Sequence, residues 1–235
     1  MTISEKLTKI AEDMPKVFDA GKDAERSAFW DDFQDFGNRV LYNNAFQNSW
    51  TDNIFQPKYD IKPTNAGFMF AGTKIADLKG CLESCGKELD LSKATSIDRL
   101  FSDAPNLTHL PKISTVSAPH LQNFVYNCKN LISIDEVVLK EDGSQTFNEN
   151  SFKSCSALVE IRFSGKIGNN INMSWSKNLS MTSLNSIVSA LSKSVSGKTI
   201  TLPNTAEQTY DNATKVGEWQ KLIEDYRAYW SFAYA

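Results

Sequence analysis

The sequence predicts an α+β repeat solenoid of about five or six coils, closed by helical caps at both ends. Apolar residues recur at every third position through the middle of the chain, and these series return at a step of about 26 residues. On both flanks the apolar spacing changes to that of helices. A spacing of three matches neither the helical period of 3.6 nor the strand period of 2. The chain must therefore turn between these residues while keeping them inward.

The clearest series is Phe152, Cys155, Leu158 and Ile161. Val125, Cys128, Leu131 and Ile134 form another, as do Phe101, Ala104, Leu107 and Leu110. Trp175, Asn178, Met181 and Leu184 follow the same spacing, and Phe70, Thr73, Ile75 and Leu78 follow it with one residue deleted. A faint first copy is Phe46, Ser49, Asp52 and Phe55. Starts at 46, 70, 101, 125, 152 and 175 give steps of 24, 31, 24, 27 and 23. The period lies within the roughly 20–29 residues of leucine-rich repeats.

Each series fills a narrow core with a large residue, then a small residue or Cys, then two aliphatics. Brief alternation follows at Ile161 and Phe163, Val137 and Leu139, and Leu89 and Leu91, which is a short strand with one buried face. Such strands, stacked at about 4.8 Å, would make one continuous sheet. Cys128 and Cys155 would then be neighbours. A disulfide between them is sterically open, but two buried thiols filling a small hole is the preferred reading.

The units Phe152-Lys153-Ser154-Cys155-Ser156-Ala157-Leu158-Val159-Glu160-Ile161 and Tyr126-Asn127-Cys128-Lys129-Asn130-Leu131-Ile132-Ser133-Ile134 resemble the BspA-like, or Treponema-type, leucine-rich repeats. Phe68-Met69-Phe70 followed by Leu89-Asp90-Leu91-Ser92 is similar to a related bacterial surface-repeat variant. The resemblance covers about residues 65–185 and implies a right-handed leucine-rich-repeat solenoid. Two departures stand out: only Leu110-Pro111 keeps the proline frequent in the class, and the 31-residue step carries an insertion around Cys81–Lys87. The block from Ile10 to Ile61 is similar to the leading segment of such proteins from gut Firmicutes and their prophage or phage structural gene clusters.

The flanks read as caps, which a stack needs at both exposed ends. Ile3, Leu7, Ile10 and Met14 line one helix face, with Thr2 and Glu5 placed as a capping box and Pro15 ending the helix. A second helix is expected over about Lys22 to Gln34, with Phe29, Phe33 and Phe36 inward. Beyond the repeats, Leu184, Ile187, Val188 and Leu191 share a helical face, and Lys198 to Leu202 reads as a strand. Thr205 with Gln208 starts a helix running through Lys221 to Asp225, and Trp230, Phe232 and Tyr234 alternate as a closing strand. The organisation is thus 1–45 cap, 46–185 repeats and 186–235 cap.

Chemistry-bearing patterns are scarce. Two histidines serve 235 residues, and His is the usual acid–base and metal residue near neutral pH. His109 reads as a solvated strand or ridge position, and His120 follows Pro119 at a turn. Cys81 and Cys85 lack the spacing of a zinc knuckle. Asp31 and Asp32 are adjacent, so on a helix they point apart. Glu141-Asp142-Gly143 reads as a turn without the further oxygen ligands calcium requires. Gly165-Lys166-Ile167-Gly168 is not a phosphate loop. Asn106-Leu107-Thr108 and Asn178-Leu179-Ser180 match glycosylation acceptors by chance. No catalytic, cofactor-binding or metal residue is assigned, and no cofactor is expected. Trp30, Trp50, Trp175, Trp219 and Trp230 are read as mostly core, with a carbohydrate platform as the alternative.

A net charge of −3 with scattered Lys and Arg offers no nucleic-acid footprint. Glu5, Lys6, Lys9, Glu12 and Asp13 break the apolar core a secretory signal would need. No membrane insertion is expected, and the location is cytoplasmic or within a phage particle unless a leader has been removed. The functional expectation is a non-catalytic leucine-rich-repeat interaction module for a protein or cell-surface partner, associated with phage or prophage. The alternatives are a bacterial surface adhesin for host protein or glycan, and a glycan-active enzyme using two acidic residues.

Leu158→Asp should abolish the cooperative thermal transition, because it forces a charge among apolar neighbours. An unchanged melting temperature would show that the phase of the repeat is misassigned.

Overall fold

The computed structural model describes residues 60–235 together with Phe55 and Pro57. The expected N-terminal helices, the start of the first series, Trp30 and Trp50 lie outside the described residues. The four complete early series behave as their spacing requires: every residue from Phe70 to Leu78, Phe101 to Leu110, Val125 to Ile134 and Phe152 to Ile161 that was placed inward is at most 1% exposed. Phe55, Phe70, Phe101, Phe124, Phe152 and Phe163 form one row of rings, with successive centroids 5.7, 5.5, 5.7, 6.3 and 6.1 Å apart. In the copy assigned to Val125, Phe124 supplies the ring while Val125 is buried beside it.

The strands are β1 (His109–Ser114), β2 (His120–Leu121), β3 (Ser133–Val138), β4 (Thr146–Phe147), β5 (Glu160–Ser164), β6 (Ile171–Asn172), β7 (Lys198–Leu202) and β8 (Trp230–Tyr234). The helices are α1 (Leu78–Cys85), α2 (Met181–Ala190), α3 (Ala206–Ala213) and α4 (Glu218–Glu224). Among the described residues all strand pairings are parallel. Across β1-β3-β5, Leu110, Ile134 and Ile161 form one buried rung and Ile113, Val137 and Phe163 the next. A register shift between Ile134 and Val137 absorbs the one-residue difference from β5.

This arrangement corrects the expected right-handed leucine-rich-repeat solenoid of five or six coils. Its continuous sheet does not form: among the described residues the strands make three separate sheets, β1-β3-β5, β2-β4 and β6-β7-β8. The reason lies at the edges of the first sheet, where helices stand in place of further strands. On one side, among the described residues, β1 pairs with earlier backbone only at an Asp77–His109 bridge, after which the inserted residues wind into α1. Asp77 caps that helix by accepting from the Gly80 N–H at 2.8 Å, and Gly86, at φ 62°, closes it in the left-handed region.

On the other side α2 packs along β5. The Ser183 hydroxyl accepts from the Ile161 N–H at 2.9 Å and donates to the Val159 carbonyl at 2.9 Å. Ser186 accepts from the Phe163 N–H at 2.9 Å. Side chains thereby satisfy an edge that would otherwise seek another strand.

The sixth series also shifts. Trp175 is 45% exposed, whereas Met173, Ser176 and Leu179 are buried. That copy is shorter, and the chain reaches it through two tight passages. A Cβ on Gly165 would collide with the Leu139 carbonyl, and one on Gly168 with the Gly143 carbonyl.

Towards the C-terminus the expected strands at Lys198–Leu202 and from Trp230 are β7 and β8. The single helix expected beyond Thr205 is instead two. Thr205 makes no side-chain cap; its hydroxyl donates to the Lys177 carbonyl at 3.0 Å. Gly217 at φ 89° breaks the run, and the Asp211 carboxylate accepts from the N–H groups of Gly217 and Trp219, both at 2.8 Å.

Ser183→Ala should destabilise the protein by about 1–3 kcal/mol, the cost of stranding the buried Ile161 N–H. The exposed Ser189→Ala should change little. Urea midpoints compare the two, and equal midpoints would show that the hydroxyl does not close the edge.

Candidate groove at the left-handed turns

Two surfaces of the stacked units carry polar side chains. The outward face of β1-β3-β5 is charged but internally neutralised. Lys79 Nζ lies 2.9 Å from Asp135 and Lys112 Nζ 2.9 Å from Glu136. Hydrogen bonding from Ser164, followed by Lys112, holds the Glu136 carboxyl below its ordinary range. Exposed pairs of this kind contribute little stability.

The second surface is built by the turns that carry the phenyl row. Phe68 and Gly72 have φ 56° and 65°, Arg99 and Asp103 55° and 57°, Asn123 and Asn127 50° and 60°, and Ser154 has φ 64°. The left-handed pair four residues apart thus returns in successive copies. For a non-glycine residue such backbone costs of order 1–3 kcal/mol and persists only when its surroundings hold it. Here neighbouring copies do so through backbone hydrogen bonds. Phe68 N donates to Asp98 O at 2.9 Å, Gly72 N to Ser102 O at 2.7 Å, Arg99 N to Gln122 O at 2.9 Å and Asp103 N to Tyr126 O at 2.8 Å.

These turns enclose a groove of about 410 Å3 lined by Phe68, Arg99, Ser102, Asp103, Asn123, Tyr126 and Asn150, among others. The Arg99 guanidinium lies 5.2 Å from the Phe68 ring centroid. Asn127 Nδ2 donates to Asp103 Oδ1 at 2.8 Å, and the Ser102 hydroxyl donates to the Asn123 carbonyl at 2.9 Å. Asn148 Oδ1 accepts from the Asn123 N–H at 3.1 Å. Asn150 Oδ1 is buried and has no hydrogen-bond partner.

The residues singled out by sequence do not converge here. His109 is on β1, with Nδ1 2.8 Å from the Thr108 hydroxyl. His120 starts β2 rather than sitting in a turn, with Nδ1 2.7 Å from the Thr146 hydroxyl. Asp142 forms its turn by accepting from the Ser144 N–H at 2.8 Å, the bond that holds its carboxyl below the ordinary range. Asn178 Nδ2 donates to the Ser156 carbonyl at 3.1 Å. Trp219 and Trp230 are buried, and Trp175 is exposed.

All four cysteines are free. Cys128 Sγ donates to Phe101 O at 2.9 Å and Cys155 Sγ to Val125 O at 3.1 Å, each reaching the preceding copy. Burial pushes both thiols up, Cys155 to about 12.

The groove residues themselves escaped the sequence reading, although a signal existed. Gly72, Asp103, Asn127 and Ser154 each stand two places after the first residue of their series. Gly, Asn and Asp are the residues most at ease with positive φ. No family model, no curated protein and no solved structure matches the chain.

The two buried thiols stay protonated in the fold at a pH where an unfolded thiol, with its ordinary value of 9.0, ionises. The contribution of Cys155 is complete below about pH 9 and falls as pH rises from there toward 12. Cys155→Ser, which keeps a donor to Val125, should make the alkaline loss of stability shallower. Urea melts at stepped pH read the slope, and identical slopes would refute the assignment.

Proposed function

We propose that the chain is a non-catalytic interaction module that binds a protein or cell-surface partner through the groove at its left-handed turns. The observation that carries this reading is the repetition of a left-handed backbone pair in adjacent copies. The pair sets the side chains of Phe68, Arg99, Asp103, Asn123 and Asn127 along one surface. Arg99 and Asp103 are exposed, and the groove they line is open to solvent along the stack.

The chemistry of the groove supports binding over catalysis. Among the described residues Asp103 is the one carboxylate lining it, whereas glycoside hydrolysis needs a facing pair. Successive copies set their left-handed turns side by side along the groove. The proposed setting, a phage or prophage particle, rests on the resemblance of the repeat units and their leading segment.

The double variant Arg99→Glu, Asp103→Lys reverses two exposed charges without touching the core. Full-length protein immobilised as bait for bacterial envelope fractions should lose its captured partner when it carries both changes. Capture of the same partner at undiminished yield would overturn the reading.

A further inference from the structure

The sheet β6-β7-β8 ends in a strand whose outer side is unpaired among the described residues. In a parallel pair, alternate residues turn both backbone groups toward the partner strand, and the residues between them turn theirs away. Ala235 sets the phase: its N–H donates to Leu202 O at 3.0 Å, and its carbonyl accepts from Asn204 N at 3.2 Å. Stepping back by two, Ala233 and Ser231 also face β7. Phe232 and Tyr234 therefore turn their N–H and C=O groups outward. Trp230 turns the same way, and its N–H donates to Tyr226 O at 2.9 Å rather than to β7.

This edge is built unlike those of β1-β3-β5, where helices and serine hydroxyls stand against the outer strands. Trp230-Ser231-Phe232-Ala233-Tyr234 carries no charge and no proline, the usual devices that keep an edge from pairing. Ser231 and Tyr234 are exposed, and Phe232 is half-buried. Side chains hold the strand in place from within. Trp230 Nε1 donates to Ser192 O at 2.8 Å, and Trp219 Nε1 donates to Tyr234 Oη at 3.1 Å. The edge is thus presented already ordered, which lowers the entropy lost on pairing.

A foreign strand would be selected by pockets for its alternate side chains, and Ser231 and Ala233 are too small to wall one. A second copy of β8 needs no pocket. About a twofold axis at Phe232 the two strands run antiparallel, and the outward N–H and C=O of each Phe232 meet the C=O and N–H of the other. Trp230 then lies opposite the second copy's Tyr234, and Ser231 opposite its Ala233. An uncharged strand brings no like charges together in this register. At the other end of the sheet β6 has only two residues, Ile171–Asn172, so one edge is long enough to pair and the assembly closes at two copies.

We propose that the chain forms a twofold dimer by antiparallel pairing of β8 with β8 of a second copy, joining two three-stranded sheets into one. The inference stands apart from the groove, which no residue of β8 lines.

The test is sedimentation equilibrium of the full chain over about 1–100 µM, a range that brackets micromolar dissociation constants. The parent should pass from monomer to dimer within it. Ser231→Lys, Ala233→Lys sets lysines directly opposite one another at two rungs and should raise the dissociation constant at least about tenfold. Ser231→Lys, Ala233→Glu sets a lysine opposite a glutamate at the same rungs and should restore the dimer. Both variants carry the Ser231 change, so rescue by the glutamate separates lost pairing from a folding defect. A parent that stays monomeric across the range overturns the proposal. So does equal association of the two double variants, which would place any dimer contact elsewhere or in another register.

Discussion

Six phenyl rings, each within 6.3 Å of the next, set the path that the backbone must follow. A pair of aromatic rings contributes about 0.5–1.5 kcal/mol beyond the area it buries. To bring Phe55, Phe70, Phe101, Phe124 and Phe152 from successive copies into one row, the chain must present an equivalent inward position at every turn. The left-handed residues flank those positions, and the backbone bonds that hold the turns run between the same copies. The row, the turns and the bonds are therefore one constraint seen at three scales.

The thiols belong to the same constraint. Three residues beyond Val125 and Phe152, Cys128 and Cys155 are fully buried and reach a carbonyl of the preceding copy. Ala104 takes the corresponding place with no polar atom and is fully buried. Gln145 does comparable work between β2 and β4: its Nε2 donates to Thr115 O at 2.7 Å and Ala118 O at 2.8 Å, and its Oε1 accepts from Lys140 N at 2.6 Å. Buried carbonyls left by irregular turns are thus met by side chains from the next copy, as burial demands.

What could be read from the residues was the inward spacing. Phe152, Cys155, Leu158 and Ile161 announce themselves because burial leaves a periodic trace. The break into three sheets left no such trace. It depends on Ser183 and Ser186 reaching the backbone of β5, and a serine that closes a sheet edge looks like any other helical serine. Trp175 misled for a related reason: the spacing of three continued, but close passages at Gly165 and Gly168 had already shortened the copy. The helix at Leu78–Cys85 lay inside a recognised insertion, where the repeat period no longer constrains the chain. The groove was hidden because its residues are defined by φ rather than by hydrophobicity, and backbone sign shows only faintly in Gly72, Asp103 and Asn127.

The serine-closed edge of β5 also dictates how a chain of this kind can lengthen. A duplicated unit inserted between β1 and β3, or between β3 and β5, finds a waiting strand on either side and lengthens the row of rings by one. A unit added after Phe163 finds its hydrogen-bonding sites already taken by α2 and must begin a separate sheet, as β6, β7 and β8 do. Growth by tandem duplication is therefore possible in the interior and barred at that end, and any widening of the groove must come from new copies inserted among those that already form it.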